Sequence, residues 1–270
     1  MSQTEISSGR LTRRRMLQMT AAGTLAGAAL LWSPFAWSRH PAIMDLLDGA
    51  EPQDAGINLE LPSVSEDGSS ISLTVSVDSA MEDDDYVESI HLFAPDNPNP
   101  EIAVFRLTPL AGRARISTRI RLNESQRVYA LARMNSGEFR ITHREARVTV
   151  SGCLADDSTY ETSDIMQTRV RLPGSLLAGE AAEVLTMINH PMESGFREGP
   201  DGDVLPRHII HSFLVKLDGE QVLEADLHPS MSANPYLRFH LRPSQSGTVT
   251  MTWEDDEGRT AREEAEISVG

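Results

Sequence analysis

One cysteine, few aromatics and a shortage of basic residues bound what this 270-residue chain can be. The single thiol, Cys153, excludes an internal disulfide framework and any multi-cysteine zinc or iron–sulfur site. Lys and Arg number 24 against 40 Asp and Glu, a formal charge of −16, which argues against nucleic acid as a partner because phosphate binding draws on clustered cations. No Gly-rich phosphate loop, catalytic-triad signature or haem-attachment motif occurs. The acidic runs Glu82–Asp85 and Glu254–Glu257 lack the spaced oxygen ligands and glycine of an EF-hand, so they read as solvated loop charge. Only 5% of residues are aromatic, while Val, Ile, Leu and Thr recur in short alternating runs, which favours β-rich domains over helical bundles.

The N-terminus reads as an address. Thr12-Arg13-Arg14-Arg15-Met16-Leu17-Gln18 precedes a charge-free stretch from Met19 to Ser38, and the combination resembles a bacterial twin-arginine export signal. Ala36-Trp37-Ser38 offers a small-x-small cleavage step, so residues 1–38 are expected to be removed and the remainder to work in the periplasm without a membrane attachment. Gly23, Gly27, Ser33 and Pro34 dilute the stretch as a spanning helix, the competing reading being an uncleaved anchor. Removal takes away four Arg and one Glu, leaving 20 basic and 39 acidic residues, a formal −19.

The rest of the chain is long enough for two domains of roughly 100 residues. A short helix is expected over Pro41–Gly49. Strands are predicted over Ile71–Val77, Val87–Phe93, Ile102–Leu107, Ala114–Leu122, Arg127–Arg133 and Arg140–Val150, separated by Glu66-Asp67-Gly68, Asn97-Pro98-Asn99-Pro100 and Asn135-Ser136-Gly137. The polar, acidic segment 151–165 breaks the pattern and reads as a linker. A second series follows over Thr168–Leu172, Glu183–Asn189, His208–Leu217, Gln221–Leu227, Tyr236–Leu241, Thr248–Trp253 and Ala261–Val269, with tight turns at Asp218-Gly219 and Glu257-Gly258. The expected architecture is all-β, two antiparallel β-sandwiches in tandem over residues 39–150 and 166–270.

Specific motifs carry a family resemblance. His190-Pro191-Met192-Glu193-Ser194-Gly195, Pro206-Arg207-His208-Ile209-Ile210, Asn234-Pro235-Tyr236-Leu237 and Trp253-Glu254-Asp255-Asp256-Glu257-Gly258 together resemble SoxZ, a subunit of the bacterial thiosulfate-oxidising Sox system. Ile57–Pro62, Ser65–Gly68, Asn97–Pro100 and the strand ending at Gly152-Cys153 resemble its partner SoxY. The resemblance implies two immunoglobulin-like sandwiches packed together, no cofactor and no catalytic residue in the chain itself, and a cysteine that carries sulfur intermediates, a role that falls to Cys153 with Gly152 beside it. It also implies partners: a cytochrome-type sulfur-coupling enzyme, a sulfate thiohydrolase and a sulfane dehydrogenase. SoxY ends in a loose Gly-Gly-Cys-Gly-Gly tail, whereas here Val150-Ser151-Gly152-Cys153-Leu154 continues into the next domain, so the arm is tied at both ends.

Two other readings stand beside the carrier. One is a binding or scaffold module that serves another periplasmic oxidase or quinoprotein system without covalent cargo; the other is a sulfur-transfer enzyme, disfavoured because Asp156 and Asp157 oppose a thiolate at Cys153. Acidic charge is expected to steer the protein toward basic partner surfaces. His208 and His211 lie three apart in an expected strand and so face opposite sides, which argues against a shared metal site, and His190, before Pro191 in a loop, is assigned to packing or an interface.

Overall fold

The computed structural model describes residues 40–151, 164–199 and 201–270. Among them, α1 (Pro41–Leu47) has Pro41 in its first turn and ends in a left-handed step at Asp48 and Gly49, the expected start and stop. Eight strands follow before the break: β1 (Ile57–Glu60), β2 (Val64–Asp67), β3 (Ile71–Val77), β4 (Val87–Phe93), β5 (Glu101–Leu107), β6 (Arg115–Ile120), β7 (Gln126–Met134) and β8 (Phe139–Val150). Seven come after it: β9 (Thr168–Arg171), β10 (Ala182–Ile188), β11 (Ile210–Leu217), β12 (Glu220–Leu227), β13 (Tyr236–Leu241), β14 (Gly247–Asp255) and β15 (Thr260–Ile267). The predicted strands are all present; β1 and β2, too short and polar to show an alternation, are additional. Asp218 and Gly219 both have positive φ, the conformation that joins β11 to β12 by a tight hairpin.

The strands build two sheets, in the orders β1-β3-β6-β13-β10-β9 and β15-β14-β11-β12-β5-β4-β7-β8-β2. Each half supplies strands to both, so two sandwiches lie edge to edge and both sheets run through the junction. In the larger sheet β5 pairs antiparallel with β12, from Leu107↔Leu223 to Ala103↔Leu227. Arg106 reaches Asp226 at 2.6 Å across this pair. In the smaller sheet β6 meets β13 at Ser117↔Arg238. One core fills the space between the sheets, drawing Leu73, Val75, Ile90 and Phe105 from the first half and Val184, Phe213, Phe239 and Trp253 from the second. Joining edges this way also removes two strand edges that each half would otherwise expose. No helix among the described residues is long and apolar enough to cross a membrane.

Candidate functional site

Gly152 and Cys153 lie outside the described residues, as do the segment expected to be an export signal and most of the expected linker, but the chain is described up to Ser151 and again from Asp164. The near foot is the end of β8. There Gly68 N–H donates to Val150 C=O at 2.9 Å, Val148 N–H to Ser125 Oγ at 2.9 Å, and Arg147 N–H to Ser63 C=O at 3.0 Å. The short strand β2 runs parallel beside it, Val64 opposite Arg147 and Asp67 opposite Val150. Gly68 is a glycine for lack of room: a Cβ there would lie 2.5 Å from Leu122 O and 2.7 Å from Val150 O. Ser151 Oγ then donates to Asn123 Oδ1 at 2.8 Å.

Asn123 is fixed in turn by a buried hub. Asn97 Oδ1 accepts from Asn123 N–H at 2.8 Å and Gln126 Nε2 at 2.9 Å, while its Nδ2 donates to Arg121 C=O at 2.8 Å and Ser230 Oγ at 2.9 Å. Every polar valence of the Asn97 amide is used, the condition under which a buried amide is tolerated. Because Ser230 belongs to the second half, the hub also stitches the two sandwiches together.

The far foot rests on the same seam. Met166 N–H donates to Asn189 C=O at 2.8 Å, Asn189 N–H to Gln167 C=O at 2.9 Å, and Gln167 N–H to Asp164 C=O at 3.2 Å. Arg121, buried, donates to Pro191 C=O at 3.2 Å and to Met192 C=O. The loops that hold the two feet, 121–123 and 189–192, are thus bonded to each other.

Behind the far foot sits a polar cluster. His190 Nε2 lies 3.1 Å from His208 Nε2 and 3.6 Å from Asp255 Oδ2, and His208 Nε2 lies 3.2 Å from the same oxygen. His190 and Asp255 are buried, so Asp255 is not the solvated loop charge expected of its acidic run; it is the anchor of the β14–β15 turn. Its Oδ1 accepts the backbone N–H groups of Glu257 at 3.0 Å and Arg259 at 2.8 Å, and Arg259 Nε donates to Oδ2 at 2.7 Å. Burial alone would raise this carboxyl, but the Arg259 and His208 hydrogen bonds outweigh it and hold the pKa at about 2. Burial, with the neighbouring His208, pushes His190 down to about 4.

Three such groups within 4.8 Å have the spacing of a cation site. Two observations weigh against one. His190 Nδ1 accepts Met192 N–H at 3.1 Å, which assigns the ring proton to Nε2, the atom a metal would need bare. The Arg259 guanidinium also bonds Asp255 Oδ2 and reaches His208 Nε2, putting a cation where the metal would sit. The cluster therefore serves to lock the 190–194 loop, the approach to β11 and the β14–β15 turn together. His208 finds its partners in His190 and Asp255, not His211. Separations of 18 and 47 residues hid these contacts from the sequence; the signal was that all three residues stand at strand ends.

A shallow concavity of about 420 Å³, lined by Asp96, Gln126, Arg127, Glu145 and Arg147 among others, opens beside the near foot.

Comparison with known proteins agrees with the two halves. The SoxY family model, described as sulfur oxidation protein SoxY, matches residues 43–153, and the SoxZ model, described as sulphur oxidation protein SoxZ, matches residues 170–266. No curated protein sequence matches. Among solved structures, the sulfur carrier protein SoxY from Chlorobium limicola f thiosulfatophilum is 23% identical with a TM-score of 0.34, covering 40% of this chain and 94% of its own. The superoxide reductase (neelaredoxin) from Ignicoccus hospitalis is 19% identical with a TM-score of 0.32, covering 40% of this chain and 92% of its own. The two family matches, in tandem over most of the chain, show that it belongs to the SoxY and SoxZ families, fused in that order in one polypeptide.

Proposed function

We propose that the chain is a periplasmic carrier, exported through the twin-arginine pathway, that holds thiosulfate-derived sulfur on Cys153 while partner enzymes act on it. The observation that carries this reading is that the SoxY match runs up to Cys153, the one thiol in the chain, with a SoxZ domain following it. The first sandwich presents the thiol, and the second is its built-in scaffold.

The chemistry asked of the carrier is attachment and release. In loading, the Cys153 thiol and thiosulfate join as a cysteine S-thiosulfonate, releasing one proton and two electrons to a cytochrome-type sulfur-coupling partner. Water then cleaves the terminal S–S bond under a sulfate thiohydrolase, giving sulfate, a persulfide anion on Cys153 and two protons. A sulfane dehydrogenase acts on the remaining sulfur. Because the partner supplies the oxidant, the thiol requires no activating base of its own. The net negative charge suits brief visits to partners with basic surfaces, made salt-sensitive by screening.

The test is the intact mass of protein isolated from thiosulfate-grown cells, before and after reductant, beside a Cys153→Ser variant. A reductant-labile adduct of thiosulfonate or sulfane mass, absent in the variant, is expected. A chain that carries none, or a variant that still supports thiosulfate oxidation, would remove the carrier reading in favour of the scaffold.

A further inference from the structure

We propose that the hydrogen-bonded chain Asn97–Asn123–Ser151, with Gly68 and Ser125 gripping the end of β8, is a clamp that sets how far the thiol can travel, which makes Asn123 a positioning residue. The inference rests on Cys153 being the cargo site.

Covalent geometry gives the clamp its leverage. Cys153 follows Ser151 by two residues, so while Ser151 is seated the Cys153 Cα stays within about 7 Å of the Ser151 Cα. The nearest buried residue upstream is Ala146, at 1% exposure. If the chain detaches from Arg147 onward, seven residues are freed and the reach from Ala146 grows to about 24 Å. Seated, the thiol serves a partner that works at the surface. Detached, it can enter a recessed site.

The stem is built to detach at low cost. Thr149 and Val150 are exposed, Val150 at 59%, and Val148 is only partly buried, so little apolar burial holds this stretch. What holds it is a handful of hydrogen bonds, from Ser63, Gly68, Ser125 and Asn123, beside the four-residue, largely exposed strand β2. Segments of this kind open locally, well below the free energy of global unfolding. The acceptor side cannot yield in the same way, because Asn123 N–H is bound to the fully satisfied Asn97 amide inside the seam.

The experiment uses the full chain with Ser151→Ala, Asn123→Ala, the double variant, and Asn123→Asp, which keeps the acceptor oxygen. Amide exchange is followed at Gly68 and Val148, with Leu131 in the core as reference. Reaction of Cys153 is followed with free N-ethylmaleimide and with a maleimide fixed at the floor of a protein cavity. Loss of one hydrogen bond is expected to speed exchange at Gly68 and Val148 about 2- to 12-fold. It should raise the recessed-to-free maleimide rate ratio by the same factor, while exchange at Leu131 speeds by no more than that factor, since a bond lost from the native state lowers local and global stability alike. The double variant should match the singles, since both remove the same bond, and Asn123→Asp should behave as wild type. Unchanged exchange, additive effects, or faster exchange without a change in the maleimide ratio would each overturn the clamp. None of these readouts requires bound sulfur, so loss of the carrier reading in the mass experiment would be recognised separately.

Discussion

Acid should weaken the fold through His190, and the size of the effect follows from its burial. The ring is fully buried and accepts Met192 N–H on Nδ1, so the native state holds it neutral with a pKa of about 4, against about 6.5 in the unfolded chain. A group whose folded pKa is depressed contributes stability that is complete above the unfolded value and is lost as the pH falls through the folded one. Between about pH 7.5 and about pH 4.5 the unfolded ring gains its proton while most of the native rings do not, a loss of about 2–3 kcal/mol from this one residue. Asp255, at about 2, remains ionised over that window and contributes its own loss only below about pH 4. The perturbation is His190→Asn, whose amide oxygen can still accept Met192 N–H but which has no proton to gain. In a chain beginning at Arg39, Trp253 is the single tryptophan, and it is buried against Phe213 at a ring separation of 4.8 Å, so its fluorescence reports urea unfolding. His91, also held at about 4 by burial and by Arg106 and Arg133, adds a similar slope to both proteins and cancels in the difference. The variant should therefore be less stable near neutrality, yet lose about 2–3 kcal/mol less than wild type on acidification. Equal losses in the two proteins would show that His190 is not buried neutral and would undo the assignment of its tautomer.

Two further substitutions probe the feet. Gly68→Ala places a methyl group against Leu122 O and Val150 O, two backbone atoms that cannot turn aside, and should cost about 1–3 kcal/mol by urea titration while speeding amide exchange at Val148. A neutral result would mean that β8 and the 121–123 loop are not packed as closely as described. Asp255→Asn should cost about 2–3 kcal/mol, less than the roughly 3–5 of a fully buried pair because the Arg259 side chain is 37% exposed and regains water. Divalent metal should not restore the loss, and a variant whose stability is unchanged would mean that Arg259 does not depend on this carboxylate.

Much of the fold was legible because its strands announce themselves by period two. Ile71-Ser-Leu-Thr-Val-Ser-Val buries every other residue, as read, and the Gly219 and Gly258 turns fall where the glycines stand. What the sequence hid is non-local. Val64-Ser-Glu-Asp carries one apolar residue and reads as a turn, yet pairs in parallel with the end of β8. The continuity of the two sheets across the halves depends on β5 meeting β12 and β6 meeting β13 at their edges, and an edge leaves no mark in a strand's own alternation. His190 and Asp255 look like loop residues one at a time, and only the convergence of strand ends buries them. Asn97, noticed as part of a turn motif, turns out to be the hub between the halves.

The seam changes what the linker is for. A segment that only had to hold two domains together would be redundant here, since the halves already share two sheets, a core and the Asn97 and Arg121 bonds. The feet stand on loops that are hydrogen-bonded to each other, and the 12 residues 152–163 between Ser151 and Asp164 exceed the about 4–6 usual of connections in compact domains. Cys153 stands two residues after Ser151 and 11 before Asp164, so most of the intervening sequence lies downstream of it. By contour length alone the second tether restrains Cys153 less than the first, and under the proposed clamp the limiting restraint is the seat of Ser151 on Asn123.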